Sequence, residues 1–314
     1  MLAKLKLYRC DEHAIKWFKS YLSERSQKVK VGSTESDFSC IKYGVPQGSI
    51  LGPLIFIIYI NDLPLMLESS LSDLYADDTI LYKSSSIVQT LNLHLNNDFL
   101  NVREWCKRND ITINTNKTKS MLIGSERKLQ NCDGTLTIFT DGLETIDNVE
   151  NQKLLGIHID KSLSWSEQVD HICSVISSRT FLLSRLRSYL STECLKLFYN
   201  SYILTIIDYC CTVWGSTSLG NLEKIHKLQK RAARIILHVS YDTPSKELFE
   251  KLGWMTIFTR IKYFQAMLMF KCMNGIAPEY LSDQIHSVSD IHSYSLRSTT
   301  AHHLHVPRPK SEYF

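Results

Sequence analysis

Two adjacent aspartates, Asp77 and Asp78, are the residues of this chain best suited to chemistry. They lie between two short apolar runs, residues 71–75 and 79–82, and this pattern predicts a strand, a tight turn and a returning strand. Because side chains alternate across a strand, neighbouring aspartates share one site only at a turn or twist. Two carboxylates so close favour a bound cation, and Mg²⁺, held by carboxylates and substrate phosphates, is the expected one. An exposed Asp-Asp turn without a function is the alternative.

A second block with chemical potential lies upstream, at residues 44–48. Its sequence, Gly-Val-Pro-Gln-Gly, predicts a loop in front of a buried helix that runs to about Ile60, with Pro53 near the first turn. Glycines let the backbone approach a base or a sugar closely, and Gln47 offers both a hydrogen-bond donor and an acceptor. A Pro-Gly turn that caps a core helix explains the same residues without a ligand.

These two blocks and three further segments resemble, in their order along the chain, the reverse transcriptase of non-LTR (LINE-type) retrotransposons, most closely the jockey-like group. The specific part of the likeness is the run Gly-Val-Pro-Gln-Gly-Ser-Ile-Leu-Gly-Pro at residues 44–53, together with Tyr-Ala-Asp-Asp-Thr at residues 75–79. The likeness covers nearly the whole chain. The further segments are residues 105–114, 116–118 and 153–160.

The resemblance implies an RNA-directed DNA polymerase, a nucleotidyltransferase that extends the 3′-OH of a DNA primer with deoxynucleoside triphosphates on an RNA template. It implies that Asp77 and Asp78 are catalytic and hold Mg²⁺ in a two-metal site. Pro46, Gln47 and Gly48 would shape the pocket for the nucleotide and the template, and Lys117 would lie near the triphosphate. A lysine in an Asn-rich turn is ordinarily just solvated, and this interpretation of Lys117 stays open.

The fold class that we predict is α+β, in three parts. Residues 1–160 would form a partial polymerase palm, an antiparallel sheet with helices. Residues 161–282 would form an α-helical thumb and C-terminal region, and residues 283–314, rich in Ser and His, would be a poorly ordered tail. Apolar spacing typical of helices occurs at residues 12–22, 88–105, 166–188, 192–206, 219–237, 244–251 and 256–273.

Strand-like alternation is shorter and weaker. One predicted strand, residues 154–159, contains Leu155-Gly156, which resembles the family's primer grip, the element that seats the primer 3′ end. A glycine where a strand packs closely explains this pair equally well. The other predicted strands, besides the two that flank the aspartates, lie at residues 27–31, 38–43, 111–113, 120–123, 135–139 and 143–146.

The resemblance also implies what this stretch of sequence leaves out. The family's first catalytic aspartate and its template-holding fingers precede the segment that residues 2–8 resemble. Since loss of a metal-bridging carboxylate costs orders of magnitude in rate, we expect little or no polymerase activity. The alternatives are a non-catalytic remnant that binds nucleic acid and an element fragment without function, which would expose a sheet edge and apolar surface.

Charge is unevenly placed along the chain. Residues 1–160 carry 18 basic and 20 acidic side chains, whereas residues 161–314 carry 18 basic and 12 acidic ones. The second part is therefore the better candidate for contact with a phosphate backbone. In the helix predicted at residues 219–237, Lys224, Lys227, Arg231 and Arg234 share one stripe that suits such contact. A solvated amphipathic face explains the stripe almost as well.

Composition places the chain among folded intracellular proteins. Of its 314 residues 44% are hydrophobic and 22% are charged, which suffices for a core. The nine cysteines form no Cys-x-x-Cys pair, so we expect reduced thiols and neither a zinc site nor a disulfide framework. The longest apolar run, residues 50–66, is interrupted by Gly, Pro, Asn and Asp, so we expect no membrane span. We expect the protein in the nucleus or the cytoplasm.

Overall fold

The structure, a computed structural model, describes residues 1–41, 43–46, 48–140, 144–291 and 303–305. It combines helices with small, mainly antiparallel sheets, in agreement with the predicted α+β class. The chain divides into two compact units. The first comprises residues 1–122 and 126–149, and the second comprises residues 123–125 and 150–314. The assignment of these parts to a palm, a thumb and a tail stays a prediction.

The first unit carries the aspartate hairpin and the loop upstream of it. Asp11 caps the start of its second helix by accepting the backbone N–H of Ala14 at 2.7 Å, a contact that aspartate side chains favour at this position. The helices of this unit are α1 Leu2–Leu7, α2 Glu12–Leu22, α3 Leu51–Ile60, α4 Val88–Arg108 and α5 Glu126–Gln130. Its strands are β1 Arg25–Gln27, β2 Lys30–Val31, β3 Thr34–Glu35, β4 Ser39–Ile41, β5 Leu71–Tyr75, β6 Asp78–Tyr82, β7 Lys119–Ser120 and β8 Asp147–Asn148.

Two small core clusters hold the first unit together, and α4 contributes to both. Its apolar stripe has helical spacing. One end, with Val102 and Trp105, packs with Ile60 of α3 and Leu63. The other end, with Leu91 and Phe99, packs against a second cluster formed by Leu136, Ile138 and Ile146.

The second unit is mainly helical and has the largest core of the molecule. Its centre is the packing of α6 against α10, with Ile176, Leu183, Ile225 and Ile236 all fully buried. Its strands are β9 Asn151–Leu154 and β10 Ile157–Asp160. Its helices are α6 Ser166–Leu186, α7 Thr192–Phe198, α8 Thr205–Asp208, α9 Cys211–Trp214, α10 Leu219–Leu237, α11 Ser245–Leu252, α12 Ile257–Met273, α13 Glu279–Ser282 and α14 Val288–Ile291.

The structure confirms the long predicted helices and corrects one of them. The pattern at residues 192–206 predicts one helix, but α7 and α8 are separated by a π-helical turn at Tyr199–Leu204. Wider turns of this kind interrupt α-helices and often mark functional sites. Tyr199, the first residue of this turn, stacks on Trp254, with ring centroids 3.8 Å apart.

Several strand predictions are wrong. Residues 111–113 form no strand; Ile111 and Ile113 pack against the core clusters instead. Residues 135–139 contribute only a single bridge, from Phe139 to Thr145, and residues 141–143 lie outside the described part. The predicted strand at residues 154–159 is a hairpin of β9 and β10 with Leu155-Gly156 as its turn.

The described strands do not join into the one antiparallel sheet that we expected for a partial palm. They pair two by two in five sheets, of which the β7/β8 pair alone is parallel. Helix α3 is also less buried than expected, since Leu54 and Ile57 are each about half exposed. Among the residues described, no helix has the length and apolar character needed to cross a bilayer.

Candidate active site

The hairpin of β5 and β6 places Asp77 and Asp78 at its tip. Tyr75 pairs with Asp78 across the strands, so Ala76 and Asp77 form the two-residue turn. Ala76 has φ of 52° in the left-handed region, as tight hairpin turns require. Both aspartates are exposed, and in the described part of the chain neither side-chain carboxylate forms an ion pair or a hydrogen bond. The turn thus presents two uncompensated carboxylates to solvent.

The hairpin rests on the core through one face. Leu74 of β5 and Leu81 of β6 pack against the cluster that contains Ile60, Val102 and Trp105. The opposite face carries large apolar side chains that stay exposed, among them Leu71 and Tyr75. Side chains alternate along each strand, so the buried face fixes the register and with it the place of the two aspartates.

A residue that sequence reasoning missed holds the base of this hairpin. The carboxylate of Asp98, on α4, is 0% exposed and accepts three backbone N–H groups, from Glu68 at 2.8 Å, Ser69 at 3.2 Å and Ser70 at 2.6 Å. The signal was present in the sequence, because Asp98 falls in the apolar stripe of its helix, seven residues after Leu91. A charged residue on a buried helix face needs partners.

The ionisation of Asp98 follows from these contacts. Burial of the carboxyl group by itself would raise its pKa, because a low-dielectric environment disfavours the charged form. The three backbone N–H groups that Asp98 accepts, from Ser70, Glu68 and Ser69, outweigh burial, so the pKa of Asp98 lies below its usual value. The charged carboxylate is therefore the form that holds the chain just before β5.

The loop at residues 43–49 leads into α3 and is fastened by side chains from the preceding helix and strand. Arg25 donates to the backbone oxygens of Gly44 at 2.5 Å and Tyr43 at 3.2 Å, and the hydroxyl groups of Tyr21 and Ser49 are hydrogen bonded. No local sequence pattern pointed to Arg25. Gln47 lies outside the described residues.

The two glycines of this loop, Gly44 and Gly48, have open space beside their Cα atoms, where other residues carry a side chain. Gly44 and Gly48 have φ of 77° and 79°, and a Cβ added at either would meet nothing within 4 Å. Pro46 is half-buried, and its carbonyl accepts the N–H of Ser49 at 3.2 Å. The loop therefore exposes backbone to solvent at both glycines, as close approach of a ligand requires.

Lys117 lies in the turn between α4 and β7. Its N–H donates to the backbone and side-chain oxygens of Asn114, at 3.1 and 3.2 Å. Its side chain is exposed and forms no ion pair within the described chain. Its neighbour Lys119, in contrast, is paired with Asp147 at 2.5 Å. Lys117 is thus an available cation, and its position agrees equally with the solvated interpretation.

Helix α3, which follows the loop, and the hairpin pack on one core cluster, to which Phe56, Ile60, Leu74 and Leu81 contribute. No hydrogen bond or ion pair between described residues joins Pro46, Gly48 or Lys117 to either aspartate. Carboxylate oxygens are ligands that Mg²⁺ prefers, so the exposed pair at the turn fits the ion in its chemistry. Nowhere in the described ranges do three or more His, Cys, Asp or Glu side chains lie together as a metal site.

In the second unit, the Leu155-Gly156 turn is exposed at the end of its hairpin. Leu155 and Gly156 have φ of 46° and 85°, and positive φ at both positions is the signature of a type I′ turn. The Leu155 carbonyl accepts the hydroxyl of Tyr209 at 2.6 Å. The pair therefore forms a tight turn that a hydrogen bond from Tyr209 holds.

The basic stripe on α10 is only partly available. Lys224 pairs with Asp170 at 2.8 Å, and Arg234 donates to the Thr243 carbonyl at 3.3 Å and lies over the Tyr241 ring. Lys227 and Arg231 are exposed, and neither has an ion-pair partner among the described residues. These two side chains are the ones free to meet a phosphate backbone.

Comparison with known proteins supplies the family. The family model described as reverse transcriptase (RNA-dependent DNA polymerase) matches residues 2–159. Among curated proteins, the chain is 28% identical over 258 residues to the probable RNA-directed DNA polymerase from transposon BS of Drosophila melanogaster, covering 77% of this chain and 28% of that protein. It is 30% identical over 231 residues to the RNA-directed DNA polymerase from mobile element jockey of the same species, covering 69% of this chain and 24% of that protein.

A third relative, the probable RNA-directed DNA polymerase from transposon X-element of Drosophila melanogaster, is 26% identical over 251 residues, which are 77% of this chain and 27% of that protein. The chain thus spans about a quarter of the length of the curated relatives it matches. No solved structure matches. The family match includes the Gly-Val-Pro-Gln-Gly loop and the Tyr-Ala-Asp-Asp hairpin, and the order of these blocks agrees with the resemblance noted in the sequence. On this basis the chain belongs to the reverse transcriptase (RNA-dependent DNA polymerase) family.

Proposed function

We propose that this chain supplies part of the catalytic surface for RNA-directed DNA synthesis by a retrotransposon. The observation that carries the proposal is the β5/β6 hairpin, which presents the carboxylates of Asp77 and Asp78 side by side, exposed and without a cationic partner among the described residues. Two carboxylates in this state repel each other unless a cation joins them. A surface of this kind suits a hard divalent ion and the phosphates of a nucleotide.

Each residue has a role in the proposal. Asp77 and Asp78 would hold Mg²⁺, which when bound would neutralise charge on the triphosphate and orient the attacking 3′-OH. The open backbone at Gly44 and Gly48 would let a base or sugar approach, with Gln47 as donor and acceptor. Lys117 would offer its ammonium group to the triphosphate.

Phosphoryl transfer depends on charge held on both sides of the reacting phosphorus. The substrates of the proposal are an RNA template, a DNA primer and deoxynucleoside triphosphates.

A second candidate function is binding of nucleic acid without polymerisation. The observation that favours it is the difference in core size between the two units. Lys227 and Arg231 are exposed on the second unit, which has the larger core. The aspartate hairpin belongs to the first unit, which has two small core clusters. A well-packed helical unit can keep a basic surface in place even where the hairpin is inactive.

The test is primer extension on poly(rA)·oligo(dT) with Mg²⁺, comparing the chain with a D77N/D78N double variant and with D73N. Asp73 is an exposed aspartate of the same hairpin, so D73N controls for loss of negative charge near the tip. Incorporation that disappears in D77N/D78N and persists in D73N supports the proposal. Equal incorporation by all three proteins overturns it. Absence of incorporation by the chain, with salt-sensitive binding of the duplex, favours the second candidate.

A further inference from the structure

Helix α12 is apolar on two opposite faces, and only one of them is covered. The covered face packs against the core of the second unit through Ile257, Ile261 and Phe264. A helix that is apolar all round is normally buried on all sides, so the other face lacks a partner in the described part of the chain. Its large apolar side chains, each between 38% and 58% exposed, are Tyr263, Met267, Phe270 and Met273.

These four side chains form one continuous surface, which we call the α12 stripe. They follow one another at steps of four, three and three residues, and residues at such steps lie on one face of a helix. The stripe is about 15 Å long at 1.5 Å per residue. The neighbouring helix α13 lies on a different side of α12, where Leu268 and Cys272 line a groove together with Leu281.

The shape of the stripe indicates the kind of molecule that docks on it. A contiguous apolar surface on a folded protein marks a site of interaction. Two of its four residues are methionines, whose unbranched side chains adapt to the surface of a partner. Steps of three and four residues are also the spacing with which one helix packs along another. An amphipathic helix is therefore the partner that fits the stripe in shape.

Charge beside the stripe decides which kind of helix fits. Lys262 and Lys271 lie on opposite sides of the stripe, each about a quarter of a turn from its centre at 3.6 residues per turn. Both are exposed, and neither has an ion-pair partner among the residues described. Helix α12 contains no acidic residue, and its third cation, Arg260, is paired with Asp208.

A second copy of α12 would therefore bring lysines against lysines on both sides of the contact. A helix with carboxylates beside its apolar residues would neutralise both cations, and flanking charges of this kind select the partner where helices pair. A phospholipid surface fits less well, because helices that lie on membranes have a strongly charged polar face. The face of α12 opposite the stripe is packed in the core instead.

We propose that the α12 stripe is the docking surface for an acidic amphipathic helix of a partner protein. The partner lays its apolar face along the four side chains of the stripe, and its carboxylates pair with Lys262 and Lys271. The inference goes beyond the proposed polymerase function and does not depend on it.

Binding of two designed helical peptides to the full chain tests the proposal. Both peptides are about three heptads long with the same leucine seam, and the positions beside the seam are glutamate in one and lysine in the other. We expect the glutamate peptide to bind about three- to tenfold more tightly at low salt. F270A is expected to weaken its binding about tenfold or more.

L197A is the matched control, because Leu197 is an exposed apolar residue of α7 in the same unit. We expect it to bind the glutamate peptide as the unaltered chain does. Equal binding of the two peptides by the unaltered chain, or undiminished binding by F270A, overturns the proposal.

Reversal of the flanking charge tests the two lysines directly. K262E/K271E keeps the apolar stripe and inverts the charge on both sides, so we expect it to prefer the lysine peptide. An unchanged preference for the glutamate peptide overturns the proposal.

Two other occupants of the stripe have their own signatures. Sedimentation of the unaltered chain as a dimer that F270A converts to a monomer would assign the stripe to a second copy. Co-sedimentation with phosphatidylserine vesicles that F270A abolishes would assign it to a membrane surface. Either result overturns the proposal.

Discussion

The carboxylate of Asp98 and the backbone of Ser70 are joined by a hydrogen bond of 2.6 Å, and this contact couples helix α4 to the first residue before the aspartate hairpin. Asp98 accepts two further N–H groups of the same segment. Because β5 starts at the next residue, Leu71, the position of Asp98 on the helix sets where the hairpin begins. The packing of Leu74 and Leu81 against the core then fixes the rest of the hairpin, including the turn that contains Asp77.

The first prediction is that D98A destabilises the first unit by about 3 kcal/mol, because it leaves buried N–H groups without an acceptor. Hydrogen exchange of residues 68–75, together with urea unfolding, measures the loss. D73A is the control, since Asp73 is exposed on the same hairpin, and we expect it to change stability by less than about 0.5 kcal/mol. Equal effects of the two substitutions would show that Asp98 does not anchor the hairpin.

The second prediction concerns pH and the carboxylate of Asp160 at the entry to α6. Burial of this carboxyl alone would raise its pKa, but it accepts the N–H groups of Ser164, Trp165 and Ser162 and the Ser162 hydroxyl, and these bonds bring the pKa below its usual value. The folded state therefore binds protons less readily than the unfolded chain. The resulting stabilisation is fully present above pH of about 4 and is lost as pH falls through the folded pKa.

We therefore expect the urea midpoint of the second unit to fall as pH is lowered below about 4, and D160N to flatten this dependence. The control is D242N, in an exposed turn of the same unit, which should keep the dependence of the unaltered chain. A D160N protein with the same pH slope as the unaltered chain would contradict the assignment.

Helix positions were predictable from sequence because their signal is long and local. Helix α10 runs from Leu219 to Leu237 as predicted, since its apolar stripe repeats over five turns and Ser218 caps its start by accepting the N–H of Asn221. The hairpin around Asp77 was predictable for a similar reason. Two apolar runs flank a turn, and the alternation on each strand marks one buried face.

The strand prediction at residues 135–139 was wrong because these residues pair with side chains that are distant in sequence, which a local pattern does not reveal. Residues 135–139 were expected to pair with another strand, but their backbone pairs with side chains of α4. Asn92 accepts the N–H of Thr137 at 2.8 Å, and Asn96 accepts that of Phe139 at 2.8 Å. Their amide groups also donate to the carbonyls of Thr135 and Thr137. Two asparagines four residues apart thus replace a partner strand.

The third prediction concerns Gly215, which follows the buried Trp214 at the end of α9. A Cβ at Gly215 would lie 2.3 Å from the Cys211 carbonyl oxygen and 2.8 Å from Ile261 Cγ2, so backbone or core would have to move. We expect G215A to destabilise the second unit by about 3 kcal/mol or more. G220A is the matched control: the nearest atom to its Cβ is 4.0 Å away, and Gly220 lies in the first turn of α10, so we expect a change of less than about 0.5 kcal/mol. Thermal and urea unfolding measure both, and a stable G215A protein would contradict the packing argument.

The fourth prediction separates the four basic residues of α10 by their contacts. Lys227 and Arg231 are exposed and have no acidic partner in the described chain, whereas Lys224 pairs with Asp170 at 2.8 Å. A cation that contacts phosphate releases counterions, so each contact adds about one to the slope of log affinity against log salt concentration.

We expect K227A/R231A to weaken binding of an RNA–DNA duplex uniformly and to lower this slope by about two. K224A is expected to change the slope by less than about half a unit, since its charge is already compensated. Equal slopes for the chain and K227A/R231A would assign the stripe to solvent, and a larger effect of K224A would mean that nucleic acid displaces Asp170 from its partner.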